Sequence, residues 1–213
     1  MRMQKYDVRQ ALLLYAVSDG NLPAIEQALR GGATLLQLRA KGLSDDELLA
    51  LARDVKCLAD KFDVSVIIND RVDIAAKIDA AGAHLGLSDG DLRAARARLG
   101  PGKILGATAR SVEQALAAEA AGADYLGSGA VFGSQTKTDA IPMQLAKFQE
   151  ICSCVRIPVV AIGGIDQSNI TQLRGCGMSG FAIVSGIFGQ ENIESATREL
   201  RKLSKELVRY AEG

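Results

Sequence analysis

The stretch A-A-G-A-D-Y-L-G-S, residues 120–128, carries the pattern from which the fold of this 213-residue chain is predicted. Alanines typical of a helix run into a glycine, and a strand-like apolar run follows. Glycine readily adopts the left-handed backbone that closes a helix and turns the chain back toward a sheet. The pattern recurs in R-G-G-A-T, A-A-G-A-H and G-C-G-M-S, so Gly32, Gly82, Gly122 and Gly177 are each predicted to end a helix before a strand.

Eight short apolar runs rich in β-formers, each followed by helical apolar spacing, extend this pattern over the chain. They are residues 12–18, 34–39, 64–69, 83–87, 103–108, 124–128, 158–163 and 181–185. Ser44 with Glu47 and Ser111 with Gln114 have the spacing of capping boxes, which start helices. Unbroken alternation of strands and helices implies a parallel sheet with right-handed crossovers.

Eight such units close most naturally into a barrel. An open doubly wound sheet is the alternative, but no G-x-G-x-x-G follows the first strand, as dinucleotide-binding sheets of that kind require. We therefore predict an α/β chain with a (β/α)8 TIM barrel, residues 1–213 forming a single domain.

Composition narrows the class of partner. Lys plus Arg equals Asp plus Glu at 25 each, so no net field recruits nucleic acid or an acidic membrane surface. No apolar run is long enough to span a bilayer and the amino terminus lacks a signal-peptide core, which predicts a cytoplasmic protein. Four cysteines without C-x-x-C spacing and one histidine indicate neither zinc nor disulfides, but free, mostly buried thiols. The oligomeric state stays open, a homo-oligomer included.

Polar residues follow several predicted strands. In a parallel barrel the carboxyl ends of all strands meet at one rim, so these side chains are expected to converge. They are Gln37, Arg39 and Lys41 after the second strand, Asn69 and Asp70 after the third, Asp89 after the fourth and Thr108 after the fifth. A long loop rich in glycine and hydroxyls follows the sixth strand and carries Ser134, Thr136 and Lys137.

Two kinds of phosphate site are predicted at this rim. Arg39, Lys41 and Lys137 supply positive charge for a diphosphate, and Asp70 and Asp89 would repel it unless a magnesium ion, one per chain, lay between them. Glycine-lined turns after the seventh and eighth strands, at Gly164 and Ser185, have free amides suited to a monophosphate. The alternative for these glycines is that they only close tight turns.

The chain resembles the thiamine-phosphate synthases along nearly its whole length. The matching segments are Y-A-V-S-D, L-Q-L-R-A-K, I-I-N-D-R-V-D-I-A, G-A-H-L-G-L-S-D, G-A-D-Y-L-G-S-G-A-V-F, the T-K of the long loop, I-P-V-V-A-I-G-G-I and I-V-S-G-I. That family has a TIM barrel and is a transferase. It joins 4-amino-5-hydroxymethyl-2-methylpyrimidine diphosphate to a thiazole (carboxylate) phosphate, with magnesium, and releases pyrophosphate and thiamine phosphate.

The resemblance also implies a role for each site residue. The residues implied on the pyrimidine diphosphate are Gln37, Arg39, Lys41, Asn69, Thr108 and Lys137, and Arg39, Lys41 and Lys137 would act on its leaving group. Asp70 and Asp89 would bind Mg²⁺. The residues implied on the thiazole phosphate are Ser134, Thr136, Gly164, Val184 and Ser185. The implied reaction is dissociative: pyrophosphate leaves first and the thiazole nitrogen attacks the pyrimidinylmethyl cation, so no protein nucleophile is needed.

Two other functions remain as alternatives. A thiazole tautomerase would keep the phosphate glycines, but it would have no use for Asp70, Asp89, Thr136 and Lys137, and His84 would be its only imidazole base. A non-catalytic barrel would bind the thiazole phosphate without turnover. A sugar-phosphate epimerase is excluded because it needs several metal-binding histidines. His84 itself is interpreted as a packed or hydrogen-bonded structural residue, and Tyr125 is left between the core and the ring-binding surface.

Overall fold

A computed structural model describes residues 7–133 and 142–208. Within them eight parallel strands form a closed barrel in chain order, in which each strand pairs with the next and the first pairs with the last. The strands are β1 (Leu14–Ser18), β2 (Leu35–Leu38), β3 (Ser65–Asn69), β4 (Gly82–Leu85), β5 (Ile104–Thr108), β6 (Tyr125–Gly129), β7 (Val159–Ile162) and β8 (Gly180–Ile183). The predicted TIM barrel is confirmed, and the open sheet is excluded.

Helices occupy the connections between the strands. They are α1 (Asp7–Ala11), α2 (Leu22–Arg30), α3 (Asp45–Asp60), α4 (Val72–Lys77), α5 (Leu92–Leu99), α6 (Val112–Ala120), α7 (Leu145–Cys154), α8 (Ser185–Phe188) and α9 (Ile193–Leu207). A single turn of 3₁₀ helix, Ile170–Leu173, stands between β7 and β8. In the described part of the chain, no helix is both long enough and apolar enough to cross a membrane.

Two of the four glycines predicted to close a helix have a different role. Gly32 and Gly122 have φ values of 97° and 92° just after helices, as predicted. Gly177 has a φ of 85° but stands beyond a 3₁₀ turn that ends at Leu173, and Gly82 is the first residue of β4. Before β4 the left-handed residue is Asp79, with a φ of 52°. A Cβ on Gly82 would lie 1.8 Å from the carbonyl oxygen of Ile104 on β5. Glycine is therefore required there because two strand backbones approach closely, not because a helix ends.

Two apolar regions hold the barrel together. Alternate strand residues face outward and pack on the helices, as in Leu14, Leu36 and Ile68. The inward-facing set forms a separate cluster, consisting of Val8, Leu12, Tyr15, Val17, Leu35, Ile67, Ile104, Tyr125, Val160 and Ala182. The interior is thus a packed core, with its upper end left for polar side chains.

Helix α1 covers the amino ends of the strands. Val8 is buried within the interior cluster, and the Arg9 guanidinium donates to the Ser179 hydroxyl at 3.0 Å and to the Arg156 carbonyl at 2.9 Å. Ser179 and Arg156 precede β8 and β7. The helix therefore closes the end of the barrel opposite the predicted site.

The cysteines are free, as predicted, but the expectation that most are buried is wrong. Cys176 is buried, Cys152 and Cys154 are half-buried, and Cys57 is exposed on the outer side of α3. Burial raises the pKa of the Cys152 thiol to about 12. Cys152 is therefore a thiol at neutral pH and a poor nucleophile.

The capping box at the start of α3 is confirmed and gives a testable contribution to stability. The Ser44 hydroxyl accepts from the Glu47 amide at 3.4 Å, and the Ser44 amide donates to the Glu47 carboxylate at 2.9 Å. We expect Ser44→Ala to lower the free energy of unfolding by about 1 kcal/mol, because one orphan amide of the first turn loses its acceptor. The urea midpoint measures this loss.

The control for that measurement is Thr171→Ala, which removes an exposed hydroxyl from the 3₁₀ turn and should leave the midpoint unchanged. The Ser44 hydroxyl and amide lower the pKa of Glu47, so the carboxylate stabilises the fold above its unfolded pKa and this contribution is lost as pH falls through the folded pKa. The difference in urea midpoint between Ser44→Ala and the wild type should accordingly become smaller at acid pH. An equal loss for both variants at neutral pH would contradict the assignment of the cap.

Candidate active site at the carboxyl rim

A cavity of about 290 Å³ opens at the carboxyl ends of the strands. Nine of the residues predicted for the site line it, and they are Gln37, Arg39, Lys41, Asn69, Asp89, Thr108, Gly164, Val184 and Ser185. Asp70 lies beside the cavity, within electrostatic reach of Asp89, Lys41 and Arg39. Ser134, Thr136 and Lys137 lie outside the described residues. The predicted convergence therefore holds for every described residue of the set, whereas their roles remain predictions.

The third strand ends in a backbone turn that sets the direction of Asp70. The residue has a φ of 54°, and its amide donates to the His84 carbonyl at 2.9 Å, which joins it to β4. The side-chain nitrogen of Asn69, Nδ2, donates to the Asp70 carboxylate at 3.0 Å. Asp and Asn tolerate left-handed backbone better than most residues with side chains, which is why a carboxylate can stand at this turn.

The groups around Asp70 shift the pKa of its carboxyl in opposite directions. Burial raises the pKa of the Asp70 carboxyl, and the negative charge of Asp89 raises it further. The hydrogen bond from Asn69 and the positive charges of Lys41 and Arg39 lower it. Two neighbouring carboxylates are costly to keep ionised together unless a cation lies between them.

Asp89 is held by its own loop. One carboxylate oxygen accepts from the Gly86 amide at 2.7 Å, and Asp89 lines the cavity. The described residues contain no group of three or more His, Cys, Asp and Glu side chains with metal-binding geometry. Two carboxylates nevertheless fit Mg²⁺, because that ion takes one or two protein oxygens and fills its other positions with water and substrate phosphates.

The turns after β7 and β8 combine packing with exposed backbone. Gly163 and Gly164 have φ values of 103° and 66°, and a Cβ on Gly164 would lie 2.8 Å from the Phe132 carbonyl. The Asn169 side chain fixes this turn by donating to the Gly164 carbonyl at 2.7 Å. Tight packing alone therefore requires glycine at Gly164, and the monophosphate site stays a prediction that the position of Ser185, after the neighbouring strand β8, supports.

The floor of the cavity holds a buried hydrogen-bonded chain that the sequence did not reveal. The Gln37 amide donates to the Tyr15 hydroxyl at 2.6 Å, and the hydroxyls of Tyr15 and Tyr125 lie 2.8 Å apart. His84 continues the chain, with Nδ1 at 3.0 Å from the Tyr125 hydroxyl and Nε2 at 3.1 Å from the Thr108 hydroxyl. His84 is thus hydrogen-bonded, as interpreted, and Tyr125 lies inside the barrel with none of its surface exposed.

The rim also includes residues that no sequence motif marked. Arg110, two residues beyond β5, lines the cavity and adds a cation three strands around the barrel from β2, the strand that precedes Arg39 and Lys41. Leu87 lines it as well and leaves 53% of its surface exposed. The alternation of strand residues would have placed Tyr15 and Tyr125 inside the barrel, but no local signal distinguishes Arg110 from a solvated surface arginine.

Comparison with known proteins agrees with the resemblance seen in the sequence. Residues 14–187 match the family model described as thiamine monophosphate synthase. The chain is 43% identical over 201 residues to thiamine-phosphate synthase 2 of Streptococcus pneumoniae, and the match covers 91% of this chain and 96% of that protein. It is 41% identical over 194 residues to a thiamine-phosphate synthase of Clostridium tetani, with coverage of 88% and 93%.

A solved structure matches at the level of the whole fold. Thiamine phosphate pyrophosphorylase from Pyrococcus furiosus superposes with a TM-score of 0.88 at 37% identity, covering 95% of this chain and 100% of the other. The overall fold is therefore shared with that protein.

Proposed function

The chain belongs to the thiamine monophosphate synthase family, and from that premise we propose that it joins a pyrimidine diphosphate to a thiazole phosphate, forming thiamine phosphate and releasing pyrophosphate. The substrates are 4-amino-5-hydroxymethyl-2-methylpyrimidine diphosphate and a thiazole (carboxylate) phosphate. The observation that carries this proposal is the pairing of two carboxylates, Asp70 and Asp89, with Arg39 and Lys41 at one rim. A diphosphate with a bound divalent cation complements that arrangement of charge.

Residues near the mouth of the cavity and residues deeper in it would have different roles. Arg39 and Lys41 would hold the diphosphate and stabilise the negative charge that grows on it as the bond to the ring breaks. Gln37, Asn69 and Thr108 would hold the ring lower down, where the strands fix their side chains. Magnesium held by Asp70 and Asp89 would supply further charge neutralisation at the diphosphate.

The thiazole phosphate would lie against the other wall. The amides of the turn at Gly164 and the hydroxyl of Ser185 would hold its phosphate, beside Val184. We include Ser134, Thr136 and Lys137 in the proposed site on the strength of the family resemblance. Alignment of the thiazole nitrogen with the ring methylene would then make the second step effectively unimolecular, without a protein nucleophile.

The tautomerase alternative is less well supported by the geometry. Its base would be His84, yet both ring nitrogens of His84 lie within hydrogen-bonding distance of hydroxyls, one of them a buried phenol. A histidine held in this way is better suited to positioning its neighbours than to moving a substrate proton.

The decisive experiment measures pyrophosphate release by the purified protein with both substrates and Mg²⁺. We expect release only when all three are present, and thiamine phosphate as the organic product. Saturable binding of the thiazole phosphate without pyrophosphate release would instead indicate the tautomerase or the non-catalytic barrel. Release from the diphosphate alone would show a hydrolase.

Arg39→Gln tests the stabilisation of the leaving group. We expect kcat to fall by about 10²-fold, because a cation that meets the growing charge of the leaving diphosphate is lost from the transition state. Steady-state pyrophosphate release measures the change. Lys77→Gln removes an exposed cation from the last turn of α4 and should leave kcat unaltered. If only KM rose in Arg39→Gln, Arg39 would bind the ground state and the transition state equally.

A further inference from the structure

Two opposite directions satisfy every buried group of the hydrogen-bonded chain below the rim, and the orientation of the Gln37 side-chain amide selects one of them. Gln37 Nε2 donates to the Tyr15 hydroxyl, so the proton of Tyr15 is directed to Tyr125. The proton of Tyr125 is then directed to Nδ1 of His84. His84 must accept there, which places its own proton on Nε2, facing the Thr108 hydroxyl. Thr108 is left with a proton for the cavity.

Burial keeps the hydroxyls of this chain protonated. Tyr15 and Tyr125 leave 1% and 0% of their surface exposed, and burial raises the pKa of both phenols. Both tyrosines therefore keep their protons at neutral pH and remain donors in the hydrogen-bonded chain. Two glycines provide room for the chain: a Cβ on Gly106 would lie 2.4 Å from the Tyr125 hydroxyl, and one on Gly127 would lie 3.3 Å from the His84 ring.

The direction of the chain fixes what its two ends present to a ligand. With its Nε2 directed at Tyr15, Gln37 offers its Oε1 as an acceptor, and Thr108 offers its hydroxyl as a donor. Rotating the Gln37 amide would require Tyr15 to donate instead of accept. Tyr125 and His84 would then have to reverse as well, and Thr108 would become an acceptor. An unsatisfied buried group is the cost of any partial reversal.

We propose that Tyr15, Tyr125 and His84 are positioning residues that set this direction and thereby make the site select a 4-aminopyrimidine over its 4-oxo counterpart. The inference rests on the proposed function for the identity of the ring. A 4-amino group donates to Gln37 Oε1 and a ring nitrogen accepts from Thr108. A 4-oxo ring would set its oxygen against the Gln37 oxygen, and the site could accommodate it only by reversing the whole chain.

The direction also suits the reaction. An acceptor at the 4-amino group favours electron release from that nitrogen into the ring, as the ring becomes positive when pyrophosphate leaves. A chain of fixed direction supplies this acceptor before the substrate arrives, so no reorganisation is needed during the step.

The test compares equilibrium binding of the 4-amino and 4-oxo pyrimidine diphosphates, with Mg²⁺ and without the thiazole phosphate. We expect the wild-type protein to bind the amino ring about 100-fold more tightly, since a site built for hydrogen bonding rejects a mismatched partner strongly. Tyr125→Phe divides the chain, so the Gln37 amide can rotate and accept from the Tyr15 hydroxyl without reversing His84 and Thr108. We expect the preference to fall to about 10-fold or less.

Two further variants keep the test independent of folding. Tyr15→Phe releases the Gln37 amide directly and should reduce the preference as Tyr125→Phe does. Phe181→Leu removes volume from a fully buried residue of the outer core, away from the chain, and serves as the destabilised control. It should keep the full preference, because a purely structural loss weakens binding of both rings alike.

The outcomes separate this inference from the proposed function. No preference in the wild type, or an unchanged preference in both tyrosine variants, would overturn the inference while wild-type pyrophosphate release upheld the synthase. Absence of wild-type pyrophosphate release would overturn the proposed synthase function. The binding preference would still decide whether the hydrogen-bonded chain makes the site select the amino ring.

Discussion

Replacing Asp70 with Asn is expected to lower turnover about 10³-fold and to raise the Mg²⁺ concentration needed for half-maximal activity. Asn keeps the left-handed backbone, where Asp70 has a φ of 54°, so the loss would arise from the missing charge and not from a strained turn. Ala would add backbone strain and obscure the result. Pyrophosphate release over a Mg²⁺ titration measures both effects.

Asp73→Asn is the matched control for this variant. Asp73 lies three residues further on, in the first turn of α4, and does not line the cavity. It should keep the wild-type Mg²⁺ dependence. Asp89→Asn should resemble Asp70→Asn, although it also weakens the bond to the Gly86 amide. Normal Mg²⁺ dependence in both rim variants would refute the metal assignment.

Gly82→Ala should produce the largest loss of stability from a single methyl group. The new Cβ would lie 1.8 Å from the Ile104 carbonyl oxygen, and both atoms belong to paired strand backbones that cannot rotate away. We expect the free energy of unfolding to fall by about 3 kcal/mol, the upper range for overpacking. For a domain of this size this corresponds to a Tm lower by about 6–12 °C.

Gly102→Ala is the companion substitution. Gly102 has no atom within 4 Å of a built Cβ and no left-handed backbone, so alanine should be tolerated without loss. Comparable thermal unfolding of the two variants would show that β4 and β5 can separate to accept a side chain. The close approach of their backbones would then not explain the glycine.

The strands could be predicted to within about two residues because each is a short, doubly buried apolar run between helices with their own signals. Gly82 shows where the inference from a repeat fails. The motif A-A-G-A-H matches A-A-G-A-D letter for letter up to its last residue, yet α4 ends at Lys77 and leaves the left-handed turn to Asp79. The sequence specifies glycine at both positions for different physical reasons.

The rim could be predicted because its residues follow strand ends, and strand ends meet at one edge of any parallel barrel. The floor could not. Tyr15 and Tyr125 are 110 residues apart and meet only because a closed barrel brings β1 and β6 across the interior. Local patterns mark a tyrosine as inward-facing, whereas its partner depends on the register of all the strands between.

The position of α1 has a consequence for the order of events at the site. In the described structure this helix closes the lower end of the barrel, so ligands exchange with solvent through the opening at the rim. Under the proposed function the pyrimidine ring would occupy the deepest part of the cavity, so it would enter before the thiazole phosphate and leave last. We therefore expect sequential kinetics, in which the pyrimidine diphosphate binds first and pyrophosphate leaves before thiamine phosphate.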